Sequence, residues 1–426
     1  MSKKMGFWAV FALVTGAQIG SGVFMLPTTL APYGIYSLAG WIISGLGAVS
    51  LALVFAILCN RFPLTGGPHV YARHAFGDVI SYFTGWTYWV ISWVSTSAVV
   101  ITCIEYLYPF LPRSENINPL IWQIILLLGV TLLNLRGVKT AAKVEFWLTF
   151  FKFIPLIAVP FIALFSFSID NLMLETNSAV IKISGNIEHV VLLTLWGFIG
   201  LESATTSAGS VENPRSTIPR AIVLGTISVA TLYIINNLAI MGLIPNQELL
   251  ISKAPYADAA KKIFSGGGYL LMSLVASIAC LGTLNAWILT SGQIALGLAE
   301  DGFIPSLFGK KTVNGAPYWS LIISSLGILP LLILTSNHQF AEQITTIIDV
   351  SVTAFLFVYL VCCLALFKIL IQNSGSYFYL KILIGLVATC FCLWIIAKTP
   401  LLTLEIAFLF TLSGIPIFLI NRKKIL

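Results

Sequence analysis

Charge is scarce in this sequence. Asp, Glu, Lys and Arg make up 9% of its 426 residues, against about 25% in a soluble globular domain. With 58% hydrophobic residues, the chain reads as a polytopic membrane protein. Histidine is scarce too. None of the four (69, 74, 189 and 338) has metal-ligand spacing, and all read as loop or interface residues. The seven cysteines fall inside apolar segments without His or carboxylate neighbours. They read as small hydrophobes rather than as a metal site. No phosphate-binding loop occurs, which excludes direct ATP drive. No Ser/His/Asp set can be placed at one depth, so no enzyme and no cofactor is expected. A channel would need a continuous polar file, and a sensor would carry a soluble output domain. Neither pattern is present. The net charge of +7 resides in short loops, not in an aromatic-interleaved patch, which excludes nucleic acid as a partner. MSKK leads directly into the first apolar run with no small-residue cleavage site, so no cleaved signal peptide is expected.

What is abundant is long apolar segments. A helix needs about 20 apolar residues to span the hydrocarbon core. Twelve segments meet that rule: 7–31, 38–59, 79–108, 119–135, 144–167, 190–208, 218–244, 268–297, 317–335, 345–370, 379–397 and 401–420. Of the 23 lysines and arginines, sixteen lie in loops on the side of Lys4, six lie on the other side, and Lys152 lies within a span. The positive-inside rule then puts both termini in the cytoplasm, and the expected location is the cell's inner membrane. The loop 60–78 reads as an amphipathic stretch at the cytoplasmic surface. Residues 245–262 read as an outer loop over the cavity.

Two segments are interrupted at mid-depth. Residues 7–31 (FWAVFALVTGAQIGSGVFMLPTTLA) carry Gly16, Gly20, Ser21 and Gly22. Residues 190–208 (VVLLTLWGFIGLESATTSA) carry Gly197 and Gly200, followed by Glu202. Glycine inside a helix costs about 1 kcal/mol relative to alanine, and unpaired backbone in lipid costs more unless it lines a cavity. Glycine-interrupted helices in matching positions of two halves point to a transporter's binding site. The interruptions fall in segments one and six, so the chain divides into residues 1–170 (helices 1–5), 171–372 (helices 6–10) and 373–426 (helices 11 and 12 with a basic tail). Five spans per repeat would invert the second copy relative to the first.

The chemistry follows from the breaks. N–H groups at Gly20-Ser21-Gly22, opening a second half-helix, suit a carboxylate. The plainer reading is close helix packing through small residues. Carbonyls freed around Gly197–Gly200 suit an ammonium. Trp196 and Trp287 lie mid-segment, where an aromatic can pack on a cation or an aliphatic stem. Glu202, a carboxylate within a span, titrates, pairs with a cation or gates, unless it only pins the broken helix. Lys152 is either a proton carrier or a fixed charge donating to backbone carbonyls. Asp349 and Glu105 sit at segment ends and read as vestibule residues.

The stretches GAQIGSGVFMLP (16–27), TGGPHVYARHAFG (65–77), LWGFIGLESA (195–204), SVENPRSTIPRA (210–221), CLGTLNAW (280–287) and AEDGFIP (299–305) resemble the amino acid–polyamine–organocation superfamily. Within it they resemble the basic amino acid/polyamine antiporters. The resemblance implies an all-α fold of twelve transmembrane helices, with a 5+5 inverted repeat as in the leucine transporter and with helices 1 and 6 broken. It implies that Ser21 and Gly22 receive the substrate carboxylate. Trp196, Ile199 and Gly200 supply aromatic and backbone contacts. Trp287 stacks on the substrate's aliphatic part, Glu202 gates or links to pH, and Tyr88 is an outer gating tyrosine. Ala17 stands where the arginine exchanger has a polar contact. Lys152 departs from the exchangers, which carry a non-ionisable residue there, whereas proton-coupled members carry lysine. The leading expectation is exchange of cationic amino acids or polyamines across the membrane, and the alternative is a proton-coupled symporter with Lys152 as carrier. A homodimer is compatible with the sequence but not indicated by it.

Overall fold

The computed structural model describes residues 4–111, 118–173, 187–264, 266–335, 340–372 and 376–425. Lys3, Arg113, Lys182 and His338 lie outside them. The described chain is helical: α1 (Phe7–Gln18), α2 (Ser21–Leu30), α3 (Tyr36–Arg61), α4 (Pro68–Phe76), α5 (Asp78–Leu107), α6 (Pro119–Leu135), α7 (Val138–Ala163), α8 (Ile187–Leu195), α9 (Pro214–Leu243), α10 (Asn246–Ile251), α11 (Pro255–Phe264), α12 (Gly266–Glu300), α13 (Tyr318–Thr335), α14 (Phe340–Gln372), α15 (Phe378–Lys398), α16 (Leu401–Leu412) and α17 (Ile415–Ile425). Among the described residues, 11 helical stretches are long and apolar enough to cross a membrane. The twelfth expected segment, 119–135, is the 17-residue apolar helix α6, about 25 Å long at 1.5 Å per residue. That is shorter than a typical hydrocarbon core of about 30 Å.

Helices α5, α7, α9, α12 and α14 pack around the first interrupted helix and the second. Small residues let them approach. Added side-chain atoms at Gly20 and Gly197 would collide with Thr283 and Tyr233, the close approach expected of small residues at helix interfaces in membranes. Proline inside α7 illustrates how freed backbone is repaired. Pro160 cannot donate to the carbonyl of Leu156. Asn236 Nδ2 of α9 donates to that oxygen instead, at 2.7 Å, as hydrocarbon surroundings require.

Two loops gain detail. Within the stretch 60–78, α4 buries His69, Val70 and Tyr71. His69, expected at an interface, is fully buried and makes a 3.0 Å contact with Asp301. Arg73 spans Asp301 and Asp78, at 2.7 Å each. This ties the loop before α5 to the end of α12. Burial alone would raise the Asp301 carboxyl. The hydrogen bond and charge of His69, with Arg73, outweigh it and hold the group below the ordinary carboxylate range. Residues 245–262 form α10 and α11, which sit over α2: Tyr256 packs on Phe24, and Thr28 Oγ1 donates to Ser252 O.

Candidate functional site

The first helix stops at Gln18 and restarts at Ser21. Its four terminal carbonyls lack intrahelical donors by construction. Each is met by a side chain from another helix. Lys152 Nζ of α7 donates to Gly16 O at 2.8 Å and to Ile19 O at 2.9 Å. Trp287 Nε1 of α12 donates to Ala17 O at 3.2 Å, and Tyr233 OH of α9 donates to Gln18 O at 2.7 Å. Thr283 Oγ1 adds a donor to Ile19 O at 2.6 Å. The other half of the break is treated differently. The N–H groups of Ser21, Gly22 and Val23, which open α2, find no acceptor among the described residues.

The second break has the opposite balance. After α8, Trp196–Phe198 forms a single tight turn and Gly200 takes φ +102°, which explains glycine there. Local turns consume the carbonyls of Trp196, Phe198, Gly200 and Glu202. Those of Gly197 and Ile199 receive no donor among the described residues. The two breaks touch. A Cβ on Gly22 would lie 3.3 Å from Gly197 Cα, and one on Gly200 would lie 3.0 Å from Ala17 Cβ and 3.1 Å from Trp287.

Between them is a cavity of about 20 Å³, room for about one water. Of the expected site residues, Ser21, Gly22, Trp196, Ile199 and Trp287 line it. Gly200 borders Trp287 just behind. Trp196 Nε1 donates to Ser21 Oγ at 3.3 Å. Ala17 and Gly20 also line it, and Gln18, Ser95, Val99 and Thr283, which were not singled out in the sequence, complete the lining. Gln18 Nε2 donates to Val14 O, while its Oε1 is buried without a partner. Among its lining residues, Ser21 and Gly22 carry unpaired N–H groups, and Ile199 O and Gln18 Oε1 are unpaired acceptors. No aspartate or glutamate lines it.

Glu202 lies behind the second break, fully buried. Tyr88 OH donates to its Oε1 at 2.9 Å and Tyr359 OH to its Oε2 at 2.6 Å. Both oxygens are thus occupied by phenols, and the carboxylate does not reach the cavity. Tyr88 sits seven residues before Ser95 on α5, about 10 Å nearer the Asp78 end. That is the end where Arg61 and Arg73 cluster. The resemblance implied an outer position for Tyr88, and the structure puts it on the basic-loop side of the cavity.

Lys152 belongs to a buried set. Glu145 Oε1 lies 3.6 Å from its Nζ, and both side chains are buried. Thr149 donates to Glu145 Oε1 at 3.0 Å and Asn285 to Oε2 at 2.9 Å. Glu145 was overlooked in the sequence, although Glu145, Thr149 and Lys152 stand at helical spacing of four and seven residues, on one face. Glu105 and Asp349 lie away from the cavity. The Asp349 carboxylate is 3.7 Å from His189.

The profile of the amino acid permease family matches residues 5–419. The cadaverine/lysine antiporter of Escherichia coli K12 is 32% identical, over 78% of this chain and 75% of its own. The arginine/ornithine antiporter of Pseudomonas aeruginosa is 30% identical, over 78% and 71%. The putrescine transporter PotE of Haemophilus influenzae is 30% identical, over 86% and 84%. The chain belongs to the amino acid permease family and is a multi-pass membrane transporter, not an enzyme.

Proposed function

We propose that this protein exchanges amino acids, cationic ones and their polyamine products among them, by alternating access. The observation that carries the reading is the complementary state of the two breaks. Free N–H groups of Ser21, Gly22 and Val23 suit the carboxylate of an amino acid. Free carbonyls of Gly197 and Ile199, with Gln18 Oε1, suit its ammonium. Trp196 and Trp287 pack the side chain. In the cavity of about 20 Å³ an amino acid does not fit, so binding requires the two half-helices or the tryptophans to part. Glu202, Tyr88 and Tyr359 form the layer on the basic-loop side that must then open. The names of the relatives support exchange and a cationic or polyamine substrate. The fold in this reading is a twelve-helix chain with α6 counted as a short span. It divides as 1–170, 171–372 and 373–426, with the first two parts as inverted repeats. It lies in the inner membrane with both termini cytoplasmic, and a homodimer remains compatible with it.

A second reading has its own observation. Lys152 and Glu145 form a buried pair whose lysine holds the carbonyls of the first break. A proton arriving at that pair would loosen the break, which is the geometry a proton-coupled symporter needs. Reconstituted vesicles separate the two. Labelled lysine should enter vesicles preloaded with unlabelled lysine, arginine or cadaverine, and should not enter empty vesicles. Uptake into empty vesicles that follows an imposed pH gradient would overturn exchange in favour of symport.

A further inference from the structure

Away from the central cavity, α3, α9, α14 and α15 enclose a groove of about 680 Å³. Leu53, Ile57, Leu370, Leu380 and Ile384 form its walls, and Arg61 and Lys381 stand at one end. Leu53 and Arg61 are eight residues apart on α3, so the apolar part extends about 12 Å inward from the cations. No aspartate or glutamate lines the groove, and Lys381 has no ion-pair partner among the described residues. Tyr377 and Tyr379, 77% and 85% exposed, stand beside the cationic end. Exposed tyrosines of this kind sit at the headgroup level. A solvated basic loop would need only the cations. An apolar slot leading to two cations at interfacial depth is what an acyl chain below a phosphate requires, and basic sites between transmembrane helices bind anionic headgroups.

We propose that this groove binds an anionic phospholipid, its acyl chain against Leu53, Ile57 and Ile384 and its phosphate between Arg61 and Lys381. The lipid would join the end of α3 to the start of α15. α3 packs against α8, the helix that leads into the second break, so in the transport reading the lipid would set how readily that break moves. Binding itself does not depend on that reading.

Native mass spectrometry of the purified full chain tests it, with phosphatidylglycerol and phosphatidylcholine of equal chain length as probes. One basic residue near a membrane surface contributes about a fivefold preference for anionic lipid. The wild type should retain phosphatidylglycerol preferentially, Lys381→Gln should lose about fivefold of that preference, and Lys381→Glu should lose more. Lys311→Gln, whose lysine pairs with Glu300 elsewhere on the basic face, should change nothing. Ile384→Trp should fill the slot and reduce retention of both lipids while Lys381 is intact. Equal retention of the two lipids, or an unchanged preference in Lys381→Gln, would overturn the proposal. So would inorganic phosphate displacing the bound lipid, which would make this a bare phosphate site. A lipid-free dimer abolished by Ile384→Trp would assign the groove to a second copy and overturn it as well.

Discussion

The two interrupted helices solve one problem in opposite ways. At the first break the carbonyls are capped by Lys152, Thr283, Trp287 and Tyr233, side chains of three other helices, and the N–H groups are left open. At the second break local turns and a glycine at φ +102° absorb most of the strain, and carbonyls are left open. Buried backbone groups are almost always paired. In the proposed reading, the unpaired N–H groups of the first break and the unpaired carbonyls of the second are where a zwitterion's two ends belong. The first break depends on a distant charge for its shape, and the second depends on its own backbone. Substitutions should separate these two dependences.

The largest effect should come from Lys152→Met, which leaves Glu145 buried without its cation and leaves Gly16 O and Ile19 O to share the single hydroxyl proton of Thr283. Removing one partner of a buried pair costs about 3–5 kcal/mol. Adding Glu145→Gln should recover part of that loss in thermal unfolding. If the double variant were no better than the single, the pair would not be the source of the cost.

Gly200→Ala comes next. A side chain at φ +102° is strained by about 1–3 kcal/mol, and its Cβ would press on Ala17 and Trp287. A lower melting temperature with loss of exchange is expected. A wild-type melting temperature would mean that the second break does not need glycine.

Smaller again, Tyr359→Phe removes one phenol from a buried carboxylate, a bond of about 1.5–3 kcal/mol. Because Glu202 does not line the cavity, lysine affinity should hold while the exchange rate changes. A large loss of affinity would place Glu202 in the site after all.

The smallest effect concerns the latch at Asp301. Its folded carboxyl titrates below the ordinary range. Its stabilising contribution is therefore present above the unfolded pKa and lost as pH falls through the folded one. The difference in melting temperature between wild type and Asp301→Asn should be level from neutral pH down to the ordinary carboxylate range, and shrink only below it. A difference that vanished between pH 8 and 6 would contradict this.

Much of this was legible beforehand. The breaks, the tryptophans and Lys152 announce themselves because glycine, indole and charge are out of place at mid-membrane depth. Glu145 was legible in principle from its spacing to Lys152, but it stands near a segment end, where a carboxylate looks ordinary. Tyr359 and Gln18 were not legible. Polar residues near a membrane centre give no sign of which helix they will face, and only packing brings Tyr359 to Glu202. The side of the cavity on which Tyr88 lies was likewise set by the direction of α5 relative to Ser95.

The central claim is that the contact between the two breaks is the amino-acid site, and Gly22 tests it most directly. Gly22→Ala adds one methyl 3.3 Å from Gly197 and Trp196, while alanine favours the helix by about 1 kcal/mol. Equilibrium binding of radiolabelled lysine and arginine to the purified variant should be lost or weakened at least about tenfold, with the melting temperature kept at or above that of the wild type. Unchanged binding of both amino acids by a stable Gly22→Ala protein would contradict the account.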